Sequence, residues 1–515
     1  MRISIITTVI VITLILPRIS GAQSQSEYTL PKPVMIELNR LDEAYLILDQ
    51  FAEKVWTGWN DYLNFPFLME FQDGLRVLVG HPNPPEGFVP YPQVTIHGLA
   101  VYIDTANLND FKVRQPLQCG GGVLGYGTDI NNQPVTIVDL NLTSATVDPT
   151  GKTDYLEGES HILVFIHELM HCYQARIMPQ MFGNLSLNPD LKHALYSEIE
   201  GLALHRAFEQ DSPEKAIPFL KDFCVARSYK FQGMDEYEIN QARCDEFREG
   251  EAVYSEVTIL ESIKNGFKSN LTTEMDPGYH RFADIDRYLN KYIDRLRDNA
   301  GKTLEIYEKN YDYGCFEALM LQKFFPGWQK EIEAGSWLDP VLRNKLAMKE
   351  SDSLLSLQRF QDIYRIEELK EKHGKVINGR NETYRSFISR KGQVYVINFK
   401  PIKQYLPGLA DKLKPTYKLG LMEMFPEGIG LLKFDDITLD VKPVPTEINQ
   451  LYYLKVVDTD PGRSEKPYSI VYQSLDEEGA YTNVTITTPV FTLKAPKVMI
   501  RERGNRIKIT VISRI

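Results

Sequence analysis

Hydrophobic and polar residues follow different periods in three successive parts of this 515-residue chain. The first part begins with a helical pattern, LDEAYLILDQFAEKVWTGW, and continues with short strand-like runs such as GLRVLVG and PVTIVDLNLT. From Ser160 to about Lys375 apolar residues recur with the helical period. After about residue 376, runs such as GQVYVINF and NRIKITVI alternate as strands do. This order predicts an α+β fold.

The three patterns predict three regions of the folded chain. Residues 23–159 form a small N-terminal sheet with a helix, and residues 160–375 form a mostly helical region. Residues 376–515 carry six or more strand patterns, which predict an all-β accessory domain built as a sandwich or barrel. We place the last boundary near residue 375 because the helical pattern SLLSLQRFQDIYRIEELKEKHG closes with a glycine.

The first 22 residues have the layout of a secretory signal peptide. Arg2 precedes an apolar stretch from Ile3 to Leu16, and small residues around Gly21 favour cleavage after Ala22. The apolar stretch is short for a membrane-spanning helix, and no later segment has that character. We therefore predict a secreted or periplasmic protein with no membrane anchor in the mature chain.

Charge and cysteine content narrow the classes of partner and scaffold. The formal net charge is −11 and the isoelectric point is near 5.5, which argues against nucleic acid or an anionic membrane as a general partner. Five scattered cysteines in so long a chain do not form a disulfide framework. At most one or two disulfide bridges are expected.

The most informative stretch is ILVFIHELMHCYQAR, residues 162–176. In a helix His167 and His171 lie one turn apart on one face, so both imidazoles can reach a single metal ion. Glu168 is rotated away from that face and stays available as a base. A chance His-Glu-any-any-His match in this composition is expected about 0.01 times per chain. The alternative is a structural helix whose histidines hydrogen-bond to neighbours.

At this point the sequence resembles the zincin metallopeptidases, whose active helix carries this motif behind a sheet. A catalytic zinc ion usually has three protein ligands and one position open to water. The metzincin continuation requires glycine at 174 and histidine at 177, where this chain has Gln174 and Ile177. The resemblance is therefore to the gluzincin branch, which implies a glutamate from a later helix as the third ligand.

Two glutamates satisfy that requirement, and each is followed by a glycine that allows close helix packing. Glu200 lies in EIEGLALHRA, and Glu249 lies in EFREGEAVYSE. Both carboxylates share a face with apolar residues, where an unpaired charge is costly. The segment after Glu249 is similar to the Glu-Gly-any-Ala-any-Tyr pattern of gluzincin-like families, which favours Glu249. Arg227 or Arg243 is expected to neutralise whichever glutamate does not bind metal.

Three further residues could support such a site. Glu246, one turn before Glu249, and Gln174, three residues after His171, are placed to orient a ligand. Tyr254 is a candidate for oxyanion stabilisation, or alternatively a core tyrosine with one hydrogen bond.

The resemblance implies a secreted Zn²⁺-dependent hydrolase, most simply a metallopeptidase acting on a peptide or protein. His167, His171 and Glu249 would bind the metal, and Glu168 would act as general base. One alternative is a non-catalytic binding protein on a zincin scaffold, with the β domain contacting a surface ligand. Another is the same zinc chemistry applied to a non-peptide amide or ester.

Overall fold

Helices and strands occur together in the computed structural model, so the predicted α+β class is confirmed. The structure describes residues 29–71, 75–104, 125–131, 133–140, 146–147, 153–154, 158–178, 189–304, 306–389, 392–400, 417–419, 422–425, 429–434, 436–444, 446–449, 453–458, 468–476 and 479–512. The predicted signal peptide, residues 1–22, lies outside this set. In the described parts of the chain, no helix is both long enough and apolar enough to cross a membrane.

The helices dominate the part of the chain before residue 389. They are α1 (Lys32–Val55), α2 (Gly158–Ile177), α3 (Leu191–Phe208), α4 (Pro213–Phe231), α5 (Glu236–Asp245), α6 (Glu251–Ile263), α7 (Ile285–Ala300), α8 (Ile306–Phe324), α9 (Gln329–Glu333), α10 (Leu338–Lys345), α11 (Glu350–Asp362) and α12 (Ile366–Ile388). A short π-helical turn, Glu246–Gly250, joins α5 to α6. The His-Glu-any-any-His motif lies on α2, and Glu249 lies in the π-helical turn.

A six-stranded sheet lies on one side of α2. Its strands are β1 (Phe67–Glu70), β2 (Arg76–Val79), β3 (Phe88–Ile96), β4 (Leu99–Asp104), β5 (Gly125–Ile130) and β6 (Gln133–Asp139). They are hydrogen-bonded in the order β3-β4-β2-β1-β6-β5, and only the β1–β6 pair is parallel. Alternate residues face the helices, and the Phe67 ring packs edge-on against Phe165 of α2, 5.2 Å between centroids. A two-stranded pair, β7 (Thr146–Val147) and β8 (Thr153–Asp154), follows.

The α2 helix is held firmly because one face is apolar and fully covered. Ile162, Phe165 and Ile166 are completely buried in the large core that α1, α2 and α6 share. Burial of side chains of this size contributes about 1.5–3 kcal/mol each. At the start of α2 the buried Glu159 accepts hydrogen bonds from the backbone N–H groups of His280 (2.6 Å) and Phe282 (3.0 Å). These contacts fix the helix that presents the two histidines.

The C-terminal strands form one curled sheet with a core of its own. They are β9 (Gln393–Asn398), β10 (Tyr417–Leu419), β11 (Met422–Phe425), β12 (Gly430–Phe434), β13 (Ile437–Val441), β14 (Thr446–Asn449), β15 (Tyr453–Asp458), β16 (Ser469–Val471), β17 (Ser474–Leu475), β18 (Tyr481–Thr487), β19 (Phe491–Arg503) and β20 (Arg506–Val511). The long strand β19 pairs with β13 through its first half and with β20 through its second, so the sheet divides there. Strands β9 and β20 are parallel neighbours. The sandwich form of this region stays a prediction.

The change from helix to strand comes later than the sequence predicts. Helix α12 continues past residue 375 to Ile388, and the first strand of the following sheet starts at Gln393. Gly374 does not end the helix, and its backbone is helical. No other atom lies within 4 Å of a Cβ placed there, so this position does not require a glycine. The predicted boundary at 375/376 therefore falls inside a helix. The division into 23–159, 160–375 and 376–515 as separate units stays a prediction.

Candidate metal centre

The two histidines of α2 project from the less buried face of the helix. The His167 and His171 side chains are each 12% exposed, while Glu168 beside them is buried. Potential ligand atoms of His167, Glu168 and His171 all lie within 4.8 Å of one another. The imidazole rings are perpendicular, with centroids 4.7 Å apart. One helical turn has thus brought two imidazoles and a carboxylate together, as the spacing predicts.

Each histidine is held through its Nδ1 atom by a different acceptor. His167 Nδ1 donates to Glu256 Oε1 at 2.7 Å, and His171 Nδ1 donates to Gln174 Oε1 at 2.8 Å. The Gln174 amide is fixed in turn, since its Nε2 donates to the carbonyls of Phe247 (3.0 Å) and Arg248 (2.9 Å). With Nδ1 engaged as a donor, each ring has Nε2 available as a metal ligand.

Glu249 lies opposite the Nε2 atoms of the two histidines. Its Oε2 is 3.8 Å from His167 Nε2 and 3.7 Å from His171 Nε2, and its side chain is 1% exposed. Ligand atoms of a tetrahedral zinc ion with bonds of about 2.0–2.1 Å are separated by roughly 3.3 Å. The observed spacing is a few tenths of an ångström wider. Both Oε2–Nε2 distances are therefore close to those between two ligands of one such ion.

Glu249 reaches this position because α5 and α6 are joined by the π-helical turn rather than by regular helix. The extra residue in such a turn rotates the side chains after it, and π turns are frequent at functional sites. Two glycines allow the turn to pack on α8: a Cβ on Gly314 would lie 2.9 Å from Gly250 Cα, and a Cβ on Gly250 would lie 2.7 Å from the backbone nitrogen of Cys315. The predicted close approach after Glu249 is confirmed.

The competing glutamate, Glu200, is engaged by cations instead. Its carboxylate pairs with Arg227 at 3.2 Å and with Lys230 at 2.6 Å, and it is fully buried. Arg227 is therefore a neutralising partner, as the sequence suggests, whereas Arg243 pairs with Asp339. Glu246 also pairs with Arg227, at 2.6 Å, and therefore belongs to this ion network.

Burial and neighbouring charges shift the pKa values at the centre in opposite directions. Burial alone would lower the pKa of His167, but contacts with Glu249 and Glu256 outweigh it and raise the pKa to about 10. Burial and the charge of His167 lower the pKa of His171 to about 4. Burial raises the pKa of Glu168 to about 7, whereas the two histidines and Arg248 hold the pKa of Glu249 below its usual range despite burial.

The charges around the histidines suit a divalent cation. Carboxylates of Glu168, Glu249 and Glu256 surround the two imidazoles, and Asp245 lies behind them against Arg248, 3.3 Å away. Arg248 pairs with Glu249 and Asp245, and buried carboxylates are costly unless cations balance their charge. Two imidazole nitrogens and one carboxylate oxygen are also the donor set of many catalytic zinc sites. The residues present therefore fit a zinc ion.

The structure assigns the other predicted residues different surroundings. Gln174 orients His171, as proposed from its position. Tyr254 is completely buried and packs edge-on against Trp328, 5.9 Å between centroids, and its role in oxyanion stabilisation stays a prediction.

Three further side chains at the centre were not anticipated. Glu256 supports His167, and the Tyr292 hydroxyl donates to the other Glu256 oxygen. Glu256 follows Glu249 by seven residues, which is two helical turns, and that spacing could have indicated it. Tyr292 comes from a separate helix, α7, and carries no local signal. The Tyr311 ring of α8 stacks on His167 at 6.3 Å, and it likewise could be found only from the fold.

Most of the remaining histidines have partners away from the centre. His81, His97, His161, His205 and His373 contact, respectively, the Ile130 carbonyl, Asp49, Glu37, Glu209 and Glu198.

Comparison with protein-family models, with curated protein sequences and with solved structures gives no significant match.

Proposed function

We propose that this chain is a zinc-dependent hydrolase of the gluzincin type, and specifically a metallopeptidase. The ligands are His167, His171 and Glu249. The observation that supports this most directly is that a single carboxylate oxygen of Glu249 faces the Nε2 atoms of both histidines, 3.7–3.8 Å away. Both rings are also oriented by hydrogen bonds that Nδ1 donates to Glu256 and Gln174, as is usual for metal-binding histidines.

Glu168 is the general base in this proposal. A bound Zn²⁺ ion would supply Lewis acidity that polarises a substrate carbonyl and acidifies water. The Glu168 carboxylate lies beside the ligands and is buried, with a pKa raised to about 7 in the metal-free protein. It accepts the proton of the attacking water and returns it to the leaving amine. No serine or cysteine nucleophile is required.

The expected substrate is a peptide or protein encountered outside the cytoplasm. The signal-peptide layout of residues 1–22 supports export, and the acidic composition argues against nucleic acid. N-terminal sequencing of the protein recovered from its native host tests the export proposal. A mature N-terminus at or near residue 23 is expected, and an intact Met1 with no exported material contradicts it.

Zinc content tests the ligand set. We expect one zinc per chain in the purified wild-type protein and in Glu200→Ala, and a strong loss in Glu249→Ala. Glu200 is a matched comparison because it is an equally buried glutamate with a cationic environment. Zinc loss in Glu200→Ala alone would indicate that Glu200 of α3 is the third ligand. A wild-type protein that stays free of zinc after zinc has been supplied would contradict the proposed metal site.

Hydrolysis by the zinc-loaded protein tests the activity. A mixture of internally quenched peptides is the first probe, with release of fluorescence as the readout. Glu168→Ala should bind zinc as the wild type does and lose hydrolysis. Full activity in that variant would contradict the role of Glu168 as general base. A zinc-loaded wild type without activity on peptides, amides or esters would favour the alternative, a binding protein on this scaffold.

A further inference from the structure

The two oxygens of the Glu249 carboxylate have different neighbours. Oε2 faces the histidine nitrogens, whereas Oε1 accepts a hydrogen bond from Arg248 Nε at 3.0 Å. Both side chains are 1% exposed, so the pair is shielded from water. A charge-assisted hydrogen bond of this kind is about twice as strong as a neutral one. The guanidinium therefore holds one specific oxygen of the carboxylate.

Arg248 is itself fixed from both ends. Its Nη2 atom lies 3.3 Å from Asp245 Oδ1, and that oxygen also accepts a hydrogen bond from Gln241 Nε2 at 3.0 Å. The backbone carbonyl of Arg248 accepts a hydrogen bond from Gln174, the residue that orients His171. The arginine is thus connected to two of the three metal-ligand candidates, to Glu249 through its side chain and to His171 through its backbone.

This arrangement restricts how Glu249 can bind a metal. A carboxylate can bind through one oxygen or two, and two-oxygen binding occupies the coordination position that a hydrolytic site keeps open for water. We propose that Arg248 is a positioning residue that limits Glu249 to coordination through Oε2 alone. The inference rests on the proposed metal site and names a determinant of its geometry.

Substitution by cobalt gives a test that does not depend on activity. Four-coordinate Co²⁺ absorbs visible light much more strongly than Co²⁺ with five or six ligands. The Co²⁺-loaded wild-type protein should show the strong absorption, and Arg248→Met should show a marked loss of it as the second carboxylate oxygen binds. Zinc affinity, measured by chelator competition, should fall about 10- to 100-fold, as for other groups that orient metal ligands.

The direction of the change in zinc affinity distinguishes an orienting role of Arg248 from a purely electrostatic one. Removing a positive charge beside a buried carboxylate would by itself strengthen binding of a cation. Tighter zinc binding in Arg248→Met, with an unchanged cobalt spectrum, would therefore overturn the proposal. Arg243→Met is the matched control: Arg243 belongs to the adjoining helix α5 and pairs with Asp339, so its loss should leave spectrum and affinity unchanged.

Two further variants keep the test decisive if Arg248→Met fails to fold. Asp245→Asn with Arg248→Met removes the buried acid that would otherwise lose its partner, and Arg248→Lys keeps the charge without the Nε donor. Both should show the loss of absorption, smaller in Arg248→Lys, and wild-type spectra in both would overturn the proposal. A wild-type protein that binds neither zinc nor cobalt would instead contradict the metal site itself. Failure of the metal-site proposal can therefore be distinguished from failure of the Arg248 proposal.

Discussion

Glu256 Oε1 accepts a hydrogen bond from His167 Nδ1 at 2.7 Å, and the opposite oxygen of the same carboxylate accepts one from Tyr292. A histidine of α2 is thus oriented through α6 by a tyrosine of α7. This chain of three side chains was not evident from the histidine motif, and it gives a direct test of the centre.

Loss of the Glu256 carboxylate should weaken metal binding. We expect Glu256→Ala to reduce zinc affinity about 10- to 100-fold because the His167 ring loses its orienting acceptor. Tyr292→Phe should have a smaller effect in the same direction. Chelator competition measures both. Glu261→Ala, an exposed glutamate on the same helix, is the control and should bind zinc as the wild type does.

A side chain at Gly314 should disturb both stability and the metal site. The Cβ of Gly314→Ala would collide with the Glu246 carbonyl and with Gly250, and overpacking of this kind costs about 1–3 kcal/mol. Because the collision falls on the π-helical turn that carries Glu249, zinc affinity should fall as well.

Gly374→Ala is the matched control for Gly314→Ala. Gly374 lies inside α12 with no atom within 4 Å of an added Cβ, so alanine there should stabilise by about 0.5–1 kcal/mol. Urea unfolding measures both substitutions. A Gly314→Ala protein of unchanged stability and zinc affinity would contradict the importance of the close packing.

Glu200→Gln should lower stability without removing zinc. It would leave Arg227 and Lys230 buried with less negative charge around them, and breaking a buried ion pair from one side costs about 3–5 kcal/mol. Since the Glu200 carboxylate points at these cations, metal content should stay at one zinc per chain. Thermal unfolding and elemental analysis give the two readouts, and unchanged stability would show that the remaining acids compensate fully.

The buried Lys309 should make the free energy of unfolding depend on pH in the alkaline range. Burial lowers the pKa of this lysine from the usual 10.5 to about 7. Between those two values the unfolded chain binds a proton that the folded chain lacks, so stability rises with pH across this range, and below pH 7 the contribution no longer changes. Lys309→Met should remove this part of the slope.

The slope is measured as the difference between wild type and Lys309→Met in urea-unfolding free energy, at several pH values between 7 and 10.5. Taking the difference cancels the titration of tyrosines and cysteines that both proteins share. Parallel curves for the two proteins would contradict the lowered pKa.

Local spacing was sufficient for some of these features and insufficient for others. The four-residue spacing of His167 and His171 placed them on one face, since that depends only on helix geometry. The choice between Glu200 and Glu249 depends on what each carboxylate faces: Glu200 meets Arg227 and Lys230 of α4, whereas Glu249 faces the histidines of α2. These partners come from other helices, so local spacing could not decide it. The π-helical turn arises from packing against α8, so periodicity could not reveal it. The helix end at Gly374 was misplaced because a glycine permits a stop without requiring one.

The neighbouring positions of β9 and β20 have a consequence for how the C-terminal sheet folds. Gln393, at the start of β9, donates a hydrogen bond to the carbonyl of Asn505, 112 residues later and just before β20, and the two strands are adjacent within the sheet. Pairing between such distant segments is slow, because the entropy of closing a long loop is lost before the contacts form. During synthesis this sheet cannot complete its hydrogen bonding until β20 has left the ribosome. The helices that carry the histidines and Glu249 do not have to wait for it.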